Sequence, residues 1–202
     1  MKLYYFADGC SLAAHIALRE TGIAPELHEV DPQTRQIAGG GGPYAAVNPK
    51  GYVPALVFDD GSMLTENVAI LDWIADQSDR LRPAPGMART RQIEMLAFMS
   101  TEIHKMFLSL FFMPGEEAKP VIRQKIGERF GYLAERLRGD FLLDERFSVA
   151  DAFLYVMLRW AKMSDLEVPA VFDTYIKRIE RRGSVTDALA AEGIRPALKL
   201  AG

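Results

Sequence analysis

The run Arg82-Pro83-Ala84-Pro85-Gly86 splits the chain into two stretches that cannot belong to one repeating architecture. Proline lacks a backbone N–H and has a fixed φ, so neither a helix nor a central strand passes through this segment. Before it, short strand-like apolar runs alternate with helical ones; after it, every periodic segment is helical. The 202 residues accommodate two modest domains, each able to bury a core. The reading is one domain over 1–79, a linker over 80–87 and a second domain over 88–202.

In the first stretch, residues 2–6 form an aromatic strand. After Gly9 the spacing of Leu12, Ile16 and Arg19 turns helical, and Gly22 closes that helix as its C-cap. A second strand is expected around Leu27 to Val30. The run Gly39 to Gly42 reads as flexible connection, because it lacks the Lys-Ser/Thr ending of a phosphate-binding loop. Val53 to Phe58, the Asp60-Gly61 turn and Ser62 to Thr65 make a hairpin. A helix starting near Glu66 carries Val68, Ile70, Leu71, Trp73 and Ile74. A βαβ unit followed by a hairpin gives a mixed sheet with helices on its faces.

Beyond the linker, helices are expected at 88–112, 118–138, 149–163, 170–182 and 184–192. On the first of them, stepping 100° per residue from Ile93 lines up Leu96, Ala97, Ser100, His104, Phe107 and Phe111 as an inward stripe. Ser148 and Asp151 stand at capping-box spacing with Phe147 ahead as a staple, so Asp151 reads as a folding device rather than a catalyst. Lys177, Arg178, Arg181 and Arg182, interleaved with Ile176 and Ile179, read as the solvated face of an amphipathic helix.

With 49% hydrophobic residues, 25% charged residues and a net charge of -3, nothing in the balance calls for nucleic acid or an anionic membrane. The single cysteine, Cys10, rules out an intrachain disulfide and places the chain in a reducing compartment. No leader pattern precedes the first strand, and charges such as Lys105 interrupt the longest apolar run before the roughly 18 residues of a membrane span. A cytoplasmic protein is expected.

Cys10 lies where the first strand hands over to the first helix, facing the amides and the positive dipole end of that helix. A lone cysteine is more often a small buried hydrophobe, but this position favours a thiol more acidic than a free one. Ser11, Leu12 and Ala13 follow it, so it has no second cysteine to resolve a disulfide. Any thiol exchange needs a small thiol from solution, and glutathione is the abundant cytosolic one.

Val53-Pro54 opens a sheet strand, which favours a cis bond that turns the Val53 backbone toward an extended peptide; a trans proline starting a strand is the alternative. Thr65-Glu66-Asn67 sits at a strand-to-helix junction. There it can bind the carboxylate and ammonium of a γ-glutamyl group, or can simply cap the helix. His104 faces inward, where a histidine is more often a core or cleft residue than a catalyst. His15, His28 and His104 are scattered, so no metal site is expected, and no Ser-His-Asp arrangement appears.

These residues coincide with a known pattern. The chain resembles the cytosolic glutathione transferases, most of all the bacterial beta class, nearly from end to end. The resemblance rests on Lys2-Leu3-Tyr4-Tyr5, Cys10-Ser11-Leu12-Ala13, His15-Ile16-Ala17-Leu18-Arg19-Glu20, Asn48-Pro49-Lys50-Gly51, Val53-Pro54-Ala55-Leu56 and Leu64-Thr65-Glu66. It continues through Thr101-Glu102-Ile103-His104-Lys105, Phe147 to Ala152 and Leu158-Arg159-Trp160-Ala161. It implies an α/β thioredoxin-like N-terminal domain, an all-α C-terminal domain, a homodimer, and glutathione as co-substrate in the cleft between the domains.

By the same resemblance, Cys10 contacts the glutathione sulfur and can form a mixed disulfide with it, and the Val53 backbone, ahead of Pro54, pairs with the cysteinyl unit. Glu66 and Asn67 hold the γ-glutamyl end and Arg35 reaches the glycyl carboxylate, while Thr101, His104 and Lys105 come from the second domain. Phe107 and Phe111 are expected to line the second-substrate pocket.

The chain departs from the class at Ala7-Asp8-Gly9, where Pro-Gly-Ala is usual, and at Ala97, where an Asn often reaches the partner subunit. It departs also in the glycine run that lengthens the loop near Arg35, and at Asn67. The leading expectation is conjugation of glutathione to small electrophiles, with Cys10 and His104 polarising the sulfur. A thiol transferase or peroxidase working through a Cys10 mixed disulfide, and a non-catalytic ligand-binding protein, are the alternatives.

Overall fold

Strand β1 (Lys2–Tyr5) is the second strand of a four-stranded sheet ordered β2-β1-β5-β6, and it delivers the chain to the thiol. Its parallel neighbour is β2 (Glu26–Glu29), and its antiparallel neighbour β5 (Ala55–Val57) turns through a hairpin into β6 (Met63–Thr65). The crossover between the parallel pair is helix α1 (Ser11–Thr21), terminated by Gly22 in the left-handed region with φ 87°. Only glycine adopts that φ without steric cost. Helix α2 (Asn67–Asp76) follows β6 and packs against α1. The computed structural model describes residues 1–112, 115–137, 139–143 and 145–198.

The glycine run is not a flexible connection. Gln36–Ile37 (β3) and Gly42–Pro43 (β4) pair as a small antiparallel hairpin, with a 3₁₀ turn at Ala38–Gly40 between them. Gly39, Gly40 and Gly42 all have positive φ, so the glycines shape a tight turn. Ile37 is buried with Tyr4, Val30 and Tyr44, which anchors the hairpin to the sheet.

Among the described residues, the regular elements of the second half are all helices. Helix α3 (Met87–Phe98) runs through a π-helical segment, Met99–His104, into α4 (Lys105–Phe112). Then come α5 (Lys119–Arg136), α6 (Val149–Met163), α7 (Val171–Glu180) and α8 (Gly183–Ala191). These match the expected segments to within a few residues; the end of the expected 118–138 helix falls on residue 138, outside the described residues. Helix α6 is the core of this half, buried from Val149 through Ala161. It meets α1 and α2 on one side and α3 and α7 on the other.

Two expectations about the long helix need correction. Its buried stripe runs through Gln92, Met95, Leu96, Met99, Ile103, Phe107 and Leu110, whereas Ile93 and Ala97 are exposed. Ile93 itself is exposed while its neighbours Gln92, Met95 and Leu96 are buried, so a count started at Ile93 begins off the buried face, before the π segment is reached. Further, Met87–Phe112 taken as one helix is long and apolar enough by length and composition to cross a membrane, despite Lys105. Here Leu96, Met99, Ile103 and Phe107 are fully buried, and the helix packs on α5 and α6.

Candidate active site

The loop from β1 to α1 is closed by one hydroxyl. Ser11, fully buried, accepts from the Phe6 N–H at 3.2 Å and donates to the Phe6 carbonyl at 3.3 Å. Gly9 donates its N–H to the same carbonyl, and its α-carbon comes so close that a Cβ there would meet Phe6 at 3.0 Å. This turn sets Cys10 at the N-cap of α1, where its Sγ donates to the Val53 carbonyl at 3.4 Å.

The expected acidic thiol is not what this arrangement produces. Burial pushes the Cys10 thiol up to about 12, outweighing the amides of Cys10 and Ser11 and the charge of Lys105, all of which act to lower it. A helix start and a cation both favour a thiolate, but loss of water from the sulfur opposes them and here is the larger effect. At neutral pH Cys10 is therefore a neutral S–H, a hydrogen-bond donor.

Around it the first half contributes the polar side chains of Asn67, Glu66, Lys50, Thr65 and Arg35. The Val53–Pro54 bond is cis, as expected. Asn67 donates its Nδ2 to the Cys10 carbonyl at 3.1 Å and leaves its buried Oδ1 with no hydrogen-bond partner. Glu66 takes φ 68° at the start of α2, uncommon for a residue with a Cβ, and its carboxylate receives Lys50 Nζ at 2.8 Å. Lys50 also reaches Thr65 Oγ1 at 2.9 Å. Arg35, also at positive φ, donates to the Gly51 carbonyl at 3.2 Å and lies over the Phe6 ring.

The second half brings a cation and an imidazole. Lys105 is exposed at the start of α4, and its charge acts on Cys10 and His104 alike. His104 stacks on Trp160 with ring centroids 5.4 Å apart, and its buried Nε2 has no partner. Burial, with the Lys105 charge, pulls its pKa down to about 4, so the ring is neutral at pH 7. Thr101 spends its hydroxyl on the Ala97 carbonyl one turn back.

Phe107, expected in the pocket wall, is instead fully buried behind Phe111, Phe130 and Trp160. Phe111, 41% exposed, presents the open aromatic face and packs edge-on against Trp160.

The sequence reading missed what holds the thiol turn. Asp8, at φ 57°, accepts two 2.8 Å hydrogen bonds from Arg159, and its carbonyl accepts from Trp160 Nε1 at 2.9 Å. Its N–H donates to Glu192, whose other oxygen pairs with buried His15 at 2.8 Å. No local spacing announces these pairs, since their members lie 151 to 184 positions apart. Among the described residues no three His, Cys, Asp or Glu side chains form a group able to hold a metal ion.

Comparison with known proteins gives the family. The family model for the glutathione S-transferase N-terminal domain matches residues 9–77, and that for the C-terminal domain matches residues 98–180. The chain is 41% identical to the glutathione S-transferase GstA of Escherichia coli O157:H7, over 96% of this chain and 100% of the relative. It superposes on the beta class glutathione S-transferase of Sphingomonas chungbukensis with a TM-score of 0.87, at 40% identity, covering 96% and 100% of the two chains. A sphingomonad glutathione S-transferase complexed with glutathione gives 0.86, also at 40% identity and the same coverage.

Proposed function

The chain belongs to the glutathione S-transferase family, with the thioredoxin-like and helical domains of its beta class, and on that premise we propose that it joins the glutathione thiolate to small apolar electrophiles beside Cys10. One observation carries the choice of reaction: Cys10 is a half-buried thiol, protonated at neutral pH and donating to the Val53 carbonyl, on which the Lys105 charge acts, and so is suited to stabilise another sulfur rather than to attack with its own.

In this reading glutathione enters extended along Val53. Its γ-glutamyl ammonium meets Glu66 and the unsatisfied Oδ1 of Asn67, and its glycyl carboxylate meets Arg35. A cation that lowers the pKa of the Cys10 thiol lowers that of any thiol beside it, so Lys105 favours ionisation of glutathione, with the proton released to water. Cys10 Sγ–H and the His104 tautomer protonated on Nε2 then donate to the thiolate. The sulfur lone pair forms a C–S bond to the electrophilic carbon, and the leaving group departs with its bonding pair. Thr101 stands at the rim, and Phe111 supplies the aromatic wall for the electrophile, with Phe107 supporting it from behind.

We propose further that the protein works in the cytoplasm as a homodimer; exposed Ile93 and Ala97 on α3 are consistent with a partner surface. A mixed-disulfide reaction starting from the resting enzyme is disfavoured, because the protonated Cys10 thiol is a poor nucleophile.

The test is conjugation of glutathione to a generic aromatic electrophile by wild type and Cys10→Ala at matched concentration. Loss of one donor to the thiolate should slow the variant about tenfold. Unchanged turnover would remove Cys10 from the reaction. A covalent glutathione adduct on Cys10 in every turnover, seen by mass spectrometry, would replace conjugation with thiol transfer.

A further inference from the structure

Far from the thiol end of α1, the C-terminal end of that helix, the linker and the α7–α8 corner border an open cavity of about 520 Å3. It is lined by Arg19, Glu20, Arg80, Arg178, Arg181, Arg182 and the first two residues of α8. The sequence alone assigned the cluster at 177–182 to a solvated helix face. The fold instead turns Arg178, Arg181 and Arg182 toward Arg19 and Arg80, which come from the other half of the chain.

Five guanidinium groups converge on this cavity against two carboxylates that pair with them. Glu20 takes Arg182 at 2.5 Å, and Asp140 takes Arg178 at 2.8 Å. Arg19 commits only its Nε, to His15 at 3.1 Å. Among the described residues no acidic side chain forms an ion pair with Arg80 or Arg181. The cavity therefore carries an excess of three positive charges in a protein whose net charge is -3.

Such an excess is unfavourable without an anion, because like charges held together repel. Helix α8 starts at the cavity with Gly183 and Ser184, adding the positive end of its dipole. Two arginines are held in place: the Glu20 carboxylate fixes Arg182, which also lies 4.3 Å over the Phe147 ring, and Asp140 fixes Arg178. Both spend their forks on these acids, so among the described residues the guanidinium donors left for the tetrahedral oxygens of a phosphate are those of Arg19, Arg80 and Arg181. The lining residues come from three directions, α1, the linker and the α7–α8 corner, so their charges converge on one open hollow of the size of a compact anion.

We propose that this cavity is a binding site for a compact, multiply charged phosphate ligand of the pyrophosphate class, separate from the glutathione site. Inorganic pyrophosphate is the probe, titrated by calorimetry at fixed ionic strength into the full chain and into an Arg80→Ala, Arg181→Ala double variant. Both arginines are exposed and, among the described residues, form no ion pair, so the variant should keep the wild-type circular dichroism and melting temperature in the absence of ligand. The expected result is saturable one-to-one binding by wild type, weakened at least tenfold in the double variant, with monovalent chloride at the same ionic strength failing to compete. No saturable binding by wild type, or equal binding by the double variant, would overturn the site. Glutathione affinity, measured in the same preparations, should be unchanged in the double variant, which separates this outcome from any failure at Cys10.

Discussion

Arg159 Nε and Nη2 each donate a 2.8 Å hydrogen bond to a different oxygen of Asp8, joining the middle of α6 to the turn two residues before Cys10. Arg159 is 5% exposed and Asp8 20%, so the pair is bidentate and largely desolvated. The charge that Asp8 brings near the thiol is thereby balanced from the other half of the molecule.

Arg159→Ala should lose about 3–5 kcal/mol of stability, because it strands the Asp8 carboxylate in a partly dry site. Urea unfolding reads this directly. Alkylation of Cys10 should also become faster in the variant as the turn loosens. A loss below 1 kcal/mol with unchanged alkylation would mean that the clamp holds nothing.

Asp151 should prove to be a folding residue with no part in turnover. It accepts from Ser148 N–H at 2.8 Å, Ser148 Oγ at 2.6 Å, Leu142 N–H at 2.7 Å and Tyr175 Oη at 2.7 Å, and it is fully buried. Asp151→Ala leaves several donors unpaired and should cost about 3 kcal/mol or more. The kcat of the fraction that remains folded should match wild type; a folded but inactive variant would reassign the residue.

His104 makes stability depend on pH with a definite sign. Its pKa is about 4 in the folded protein and near 6.5 unfolded, so between those values the unfolded chain binds the extra proton. The stabilisation is complete above pH 6.5 and is lost as pH falls toward 4, up to about 3 kcal/mol from this group. The slope of unfolding free energy against pH in that window should shrink in His104→Asn. An unchanged slope would show that the imidazole is not held neutral by its site.

Cys10 should be slow to alkylate at pH 7, where a thiol at about 12 is ionised to roughly one part in 10⁵. The rate with iodoacetamide should climb about tenfold per pH unit through pH 9. In Lys105→Ala it should be lower still, because the cation that favours ionisation is gone. A rate plateau below pH 8 would contradict a buried, neutral thiol.

Local signals carried much of the fold. The 2-residue and 3.6-residue periodicities, Gly22 as a C-cap, the Asp60-Gly61 turn and the Ser148/Asp151 box are decided by the sterics and hydrogen bonding of neighbouring residues, and they marked the elements of both halves. The cis Val53–Pro54 bond and the placement of Cys10 at a helix start were legible for the same reason. The glycine run misled because glycine permits both a flexible loop and a tight hairpin; burial of Ile37 beside Tyr44 chose the hairpin. The π segment was invisible, since one extra residue per turn leaves no compositional mark, whereas the inward direction of Phe107 was legible from the helical period.

The sequence by itself determined which residues could carry the chemistry, because side-chain type and local geometry are properties of short segments. Tertiary structure decided their state: Cys10 is a neutral thiol and His104 a neutral imidazole because packing removed water from both. It also joined Asp8 to Arg159 and Arg19 to Arg181 across the two halves, in one case as a closed ion pair and in the other as an open cluster of like charge. Desolvation and long-range charge depend on what surrounds a group in space, and only the folded chain supplies those surroundings.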